Sequence, residues 1–129
     1  MRRSILNAFL ITSSVLFFSC AKDKPPSLEF DNNGNYIYYD CTRSVGDSIT
    51  VHVMMHSGNG NGLTQFKIDR VYDSGSNVEV FNTTYGGVQS ANKVYTIHLR
   101  NQQGTEKYIF TVTDSAGLTG QKVLTIQTI

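Results

Sequence analysis

The chain has no tryptophan, two cysteines, two prolines and few charges, with Asp, Glu, Lys and Arg making up only 16% of its 129 residues. Each shortage excludes something. Two cysteines cannot build a disulfide framework, so a packed core must hold the domain together. Eleven basic residues against ten acidic ones, with no basic run, leave no electrostatic footprint for nucleic acid. No apolar stretch reaches the ~20 residues of a membrane-spanning helix. No run of ten or more residues carries helical apolar spacing free of breakers, which excludes a helical domain. No Gly-x-Ser-x-Gly nucleophile motif occurs, and the absent tryptophan weakens any platform for stacking sugars.

What is present begins at the N-terminus. Arg2 and Arg3 form a positive start, and residues 5–18 are mostly apolar, interrupted by Asn7, Thr12, Ser13 and Ser14. The run is too short to span a bilayer and has the length of an export-signal core. It ends at Cys20, followed at once by polar residues and the Pro25-Pro26 pair. This arrangement resembles the signal peptide of bacterial lipoproteins. Ser19 fits that family's pattern, while Phe17 and Phe18 stand where a leucine and a small residue are usual. The resemblance implies that Cys20 becomes the first mature residue, with a diacylglyceryl thioether and usually an acylated amino group. Each buried methylene of such chains adds ~0.8 kcal/mol, so two or three chains anchor firmly. Ala21, rather than Asp, after the cysteine implies the outer membrane, facing the periplasm or the outside. An ordinary secretory signal cut between Ser19 and Ala21 is the alternative, and would leave a Cys20–Cys41 bridge conceivable. Lipidation of Cys20 instead leaves Cys41 single, best read as a small buried hydrophobe.

The expected organisation is a signal at 1–19, a lipidated cysteine and tether at 20–27, and one domain at 28–129. Loss of Arg2 and Arg3 would move the net charge from +1 to −1. The tether, with its two prolines, would hold the domain about 20 Å from the membrane at ~3.1 Å per residue.

From Leu28 onward the pattern is β. Ile49, Val51, Val53 and Met55 alternate with Thr50, His52, Met54 and His56. Phe66, Ile68 and Arg70 alternate with Lys67, Asp69 and Val71, and Tyr95, Ile97 and Leu99 with Thr96, His98 and Arg100. Tyr108, Phe110 and Val112 share a face, Leu124 and Ile126 close the series, and residues 78–81 and 36–39 read as shorter strands. About seven antiparallel strands in ~100 residues is the count of a single immunoglobulin-like β-sandwich.

The C-terminal third carries a second resemblance. Tyr108-Ile-Phe-Thr-Val-Thr-Asp-Ser-Ala-Gly117, then Lys122-Val-Leu-Thr-Ile-Gln127, looks like the last hairpin of bacterial Ig-like and PKD-like domains. Asp114 suits the start of a tight turn and Gly117 the positive φ that closes it. Tyr108 sits where a tyrosine corner would return its hydroxyl to the chain, and the missing core tryptophan excludes an antibody-type domain. The resemblance specifies a fold and not a function.

Chemistry is sparse. His52 and His56 lie about 13 Å apart along one strand face, too far to share a metal directly, and no carboxylate or cysteine spacing completes a site with His98. Surface imidazoles are expected, with no metal and no cofactor. Residues 57–62, Ser-Gly-Asn-Gly-Asn-Gly, lack the lysine and helix of a phosphate loop and the acids of a calcium loop, and read as a flexible connection. An enzyme is not expected. Of seven tyrosines, Tyr36, Tyr38, Tyr72 and Tyr85 fall near strand ends and are candidate ligand contacts. Asp47-Ser48-Ile49 and Asp114-Ser115-Ala116 resemble a bacterial O-glycosylation tripeptide, which makes Ser48 and Ser115 candidate acceptors. Two functions follow: an anchored Ig-like module for protein contact, adhesion or assembly in the envelope, or an accessory glycan-binding lipoprotein using its tyrosines.

Overall fold

The computed structural model describes residues 23–129, so the signal segment and Cys20 lie outside the described residues. Eight strands form among them: β1 (Ser27–Phe30), β2 (Cys41–Arg43), β3 (Ser48–His56), β4 (Leu63–Tyr72), β5 (Val78–Val88), β6 (Ser90–His98), β7 (Gly104–Asp114) and β8 (Thr119–Thr128). They make a three-stranded sheet, β1-β3-β6, packed on a five-stranded sheet, β2-β8-β7-β4-β5. This is an all-β, immunoglobulin-like sandwich. All pairings are antiparallel except β2 with β8.

Period-two alternation builds the core. Val51, Val53 and Met55 of β3 are fully buried, as are Phe66 and Ile68 of β4, Phe110 and Val112 of β7, and Leu124 and Ile126 of β8. With no tryptophan to fill the centre, a row of smaller rings crosses it. Phe30 meets Phe110 edge-on at 5.0 Å, Phe110 stacks on Phe66 at 6.4 Å, Phe66 reaches Phe81 at 6.0 Å, and Phe81 reaches Tyr95 at 5.6 Å. Each such pair adds ~0.5–1.5 kcal/mol beyond the area it buries.

The expected last hairpin is present. Oδ1 of Asp114 accepts the N–H groups of Ala116 and Leu118, both at 2.9 Å, and Gly117 closes the turn at φ +81°. Tyr108 departs from the expected corner: its hydroxyl donates to the buried carboxylate of Glu106 at 2.9 Å instead of to the backbone.

Residues 36–39 are not a strand. β1 runs along the β3 edge, the Asp31 N–H continues the ladder to His52, and a turn with Gly34 at φ +66° then breaks it. Only Ile37 re-engages, donating to the Thr50 carbonyl at 2.9 Å with its side chain buried. The chain then changes sheets. Oδ1 of Asp40 accepts the Thr125 N–H at 2.8 Å, and β2 runs parallel to β8. One segment, residues 27–43, thus covers the edges of both sheets on this side. Cys41, expected in the interior, is only half-buried at the start of β2.

Three further differences bear on the site. Ser27, counted with the tether by sequence, opens β1, and Pro26 before it is buried. A methyl group on Gly120 would strike the Pro26 carbonyl, and one on Gly58 the carbonyls of Lys24 and Pro25, so the chain joins the sandwich in close backbone contact there. β5 extends to Val88, well beyond the apolar residues that mark its start.

Candidate functional site

Opposite the covered side, β5 and β6 are the free edges of their sheets. Gln89 alone joins them, so the chain steps from one sheet to the other and the two strands run apart from that link. The glycine-rich loop at 57–62, expected to be loose, is tied to it. Ser57 donates to the Gln89 side chain at 2.7 Å, and the Gln89 amide donates to the Gly60 carbonyl at 3.0 Å.

Each free edge is guarded against indiscriminate pairing. β5 departs from regular pairing with β4 at two places, and bulges blunt an edge by twisting it. β6 pairs with β3 without a break, yet Lys93 lies on its inward side with Tyr95 and Ile97. Nζ of Lys93 sits 4.8 Å from the Phe81 ring centroid, which caps the gap between the strands with a charge.

Beyond Phe81 and Tyr95 the gap opens into a cleft of about 180 Å³. Val80 of β5 and Tyr95, Ile97 and His98 of β6 line it, with Arg70 and Tyr108 contributed by the larger sheet. Arg70 and Tyr108 are cross-strand partners of β4 and β7, on the inner face shared with Phe66, Ile68 and Phe110. A cation on that face is unusual, because charged residues are rarely turned inward without a partner.

The charges behind the cleft form a network. The guanidinium carbons of Arg70 and Arg100 lie 4.2 and 4.4 Å from the Tyr72 ring centroid. Arg100 donates to Asp73 at 2.8 Å, and the other oxygen of Asp73 accepts the Thr105 N–H at 2.9 Å. That backbone bond first, and the guanidinium second, hold the Asp73 carboxyl below its ordinary value. Asp73 takes a left-handed φ of +53°, a conformation Asp tolerates better than most side chains. Glu106, fully buried, accepts the Tyr108 hydroxyl and, at 3.4 Å, the Arg100 N–H. Burial, then the bond to Glu106, pushes the Tyr108 hydroxyl far above its usual range. Among the described residues the ion pairs are Arg100–Asp73, Lys67–Asp69 and His52–Asp31, so Arg70 faces the cleft without a carboxylate partner.

The four candidate tyrosines are not brought together. Tyr36 packs on His52 at 5.1 Å, and Tyr38 packs edge-on against Tyr39 at 4.8 Å, exposed on the crossing segment. Tyr72 lies under the two arginines, and Tyr85 is half-buried against the core, where desolvation raises its hydroxyl pKa. Ser48 is exposed and hydrogen-bonded to Nδ1 of His98 at 2.8 Å, while Ser115 is exposed in the β7–β8 turn. His52 pairs with Asp31 at 2.8 Å, and His56 ends β3. Among the described residues no group of three or more His, Cys, Asp or Glu could hold a metal ion. Sequence reasoning passed over Arg70 and Glu106, although the alternation around both already placed a charge on an apolar face.

No protein-family model matches the chain, and no curated protein matches it in sequence. Solved structures do share its shape. A superoxide reductase (neelaredoxin) from Ignicoccus hospitalis superposes with a TM-score of 0.51 at 9% identity, over 81% of this chain and 82% of that one. A family 123 glycoside hydrolase from Clostridium perfringens gives 0.52 at 8% identity, over 82% of this chain and 27% of the enzyme. The sporulation control protein Spo0M from Bacillus subtilis gives 0.51 at 7% identity, over 81% of this chain and 49% of that protein. The chain thus spans about a quarter of the hydrolase and about half of Spo0M. Likeness at such identities is a likeness of fold.

Proposed function

We propose that this protein is an outer-membrane lipoprotein, anchored through Cys20, whose Ig-like domain holds a protein partner in the envelope or at the cell surface and performs no catalysis. The anchor reading rests on the sequence of residues 1–20. The contact reading rests on one observation: β5 and β6 leave two strand edges free with an Arg70-lined cleft between them, while on the other side residues 27–43 run along β3 and β8. Strand edges and recesses between them are where β-domains take on partners. The glycan alternative draws less support, because the tyrosines it requires are scattered.

Photo-crosslinking in native envelopes tests the contact. A photoreactive residue at Val78, exposed on β5, should capture a discrete protein, and one at Val123, equally exposed on β8, should not. Capture from Val123 alone, or from neither position, would sink the reading. Metabolic labelling with palmitate tests the anchor: label should enter the parent chain and be absent from Cys20→Ser.

A further inference from the structure

Resting on the contact reading, we infer that the cleft between β5 and β6 is a carboxylate-binding site, and that it takes an acidic side chain presented by the partner polypeptide. Its volume, about 180 Å³, is enough to admit a side chain. Its walls are those of a site for a short apolar stem ending in a negative charge. Val80, Tyr95 and Ile97 offer apolar surface, and Arg70 stands at the floor.

The charge of Arg70 is the deciding feature. Glu106, the buried carboxylate beside the floor, is already engaged by the Tyr108 hydroxyl and the Arg100 N–H. Asp73 is engaged by Arg100 and Thr105, and Asp69, on the opposite face of β4, by Lys67. Arg70 is steadied by the Tyr72 ring, which orients the guanidinium without neutralising it. A planar guanidinium held this way matches a carboxylate in two parallel hydrogen bonds, the geometry that favours Arg over Lys in such sites. Lys93, beside the cleft, adds the same sign of charge, while that of Arg100 is offset by Asp73.

A titration of the full chain in detergent micelles, followed through the Nε–H resonance of Arg70 at low ionic strength, tests this. The probes are pentanoate and pentanamide, and two acetylated, amidated pentapeptides of strand-forming residues that differ only in a central glutamate or glutamine. The carboxylate of each pair should shift Arg70 saturably and bind at least tenfold more tightly than its amide. Arg70→Gln should abolish that preference, Arg70→Lys should keep part of it, and Val80→Trp, which fills the cleft but leaves the charge, should block both carboxylates. Equal binding of acid and amide, no saturable shift with either acid, or undiminished binding by Val80→Trp would each overturn the inference. A glutamate peptide that binds tenfold more tightly than pentanoate supports a polypeptide source. A cleft that prefers pentanoate while still requiring Arg70 would keep the carboxylate site and discard the protein partner.

Discussion

The two lateral sides of this sandwich face the same problem and answer it differently. On one, residues 27–43 follow the β3 edge, cross over, and pair with β8, so backbone closes the gap between the sheets. Pro26 presses on Gly120 there, and little room is left. On the other, Gln89 makes the crossing in one residue, and β5 and β6 separate with their outer edges free. Irregular pairing on β5 and the inward Lys93 on β6 do the guarding. Closure by backbone still leaves a recess of about 440 Å³ lined by Asn35, Ile37, Arg43 and Asp47, whereas guarding by side chains leaves a smaller cleft between two free strand edges, with Arg70 in its lining. A domain that had only to be stable would gain by closing both sides.

The largest test removes what joins the sides. Phe110 touches Phe30 on the covered side and Phe66, which leads to Phe81 and Tyr95 on the open one. Phe110→Ala should cost ~3–5 kcal/mol in urea denaturation. A loss below ~1 kcal/mol would mean that the two halves hold together without the aromatic row. Gly120→Ala comes next, because its methyl would strike the Pro26 carbonyl. We expect a cost of ~1–3 kcal/mol. Faster hydrogen exchange should appear in β1 while the β6 amides keep their protection; equal loosening of both would erase the distinction between the sides.

Lys93→Val should change stability by no more than ~1 kcal/mol, since the half-buried side chain gives up only its contact with the Phe81 ring. Its effect should appear in sedimentation, as concentration-dependent association through the unguarded edge. A variant that stays monomeric at millimolar concentration removes Lys93 from the account. The smallest effect is in acid. The Asp31 carboxyl is lowered first by the Asn33 N–H and then by His52, and that of Asp73 by Thr105 and then by Arg100. Both folded values lie below the ordinary 3.8, so the stability they lend is complete above pH 3.8 and fades as pH falls through the lowered values. Asp31→Asn and Asp73→Asn should therefore each flatten the acid limb of stability below pH 3.8, one on each side of the comparison. A limb left unchanged by both would assign acid sensitivity to other carboxyls.

The covered and open sides also differ in how readily sequence betrays them. β3, β7 and β8 are legible because apolar residues alternate at their centres, as Val51, Val53 and Met55, Tyr108, Phe110 and Val112, and Leu124 and Ile126 show. β2 is three residues held by parallel pairing to β8, and no local pattern announces a contact so distant in sequence. Residues 36–39 mislead for the opposite reason: Tyr and Ile favour strands, but only Ile37 finds a sheet edge. On β5, Asn82 to Gly87 carry no alternation, since an edge strand needs little apolar surface to stay paired with β4. Arg70 was legible as a residue on the core face, but its consequence was not. The cleft exists because β5 and β6 diverge, and divergence is a property of two sheets together.

Pro26 has a further consequence, for the direction in which the domain looks. The chain joins the sandwich beside Gly58 and Gly120, at the end that also holds Leu63, the start of β4. Arg70 lies farther along that strand, about 23 Å away at ~3.3 Å per residue. With Cys20 as the anchor proposed above, the glycine loop and the β7–β8 turn would face the lipid headgroups. The cleft would then sit near the membrane-distal tip, within reach of a protein approaching from the aqueous side.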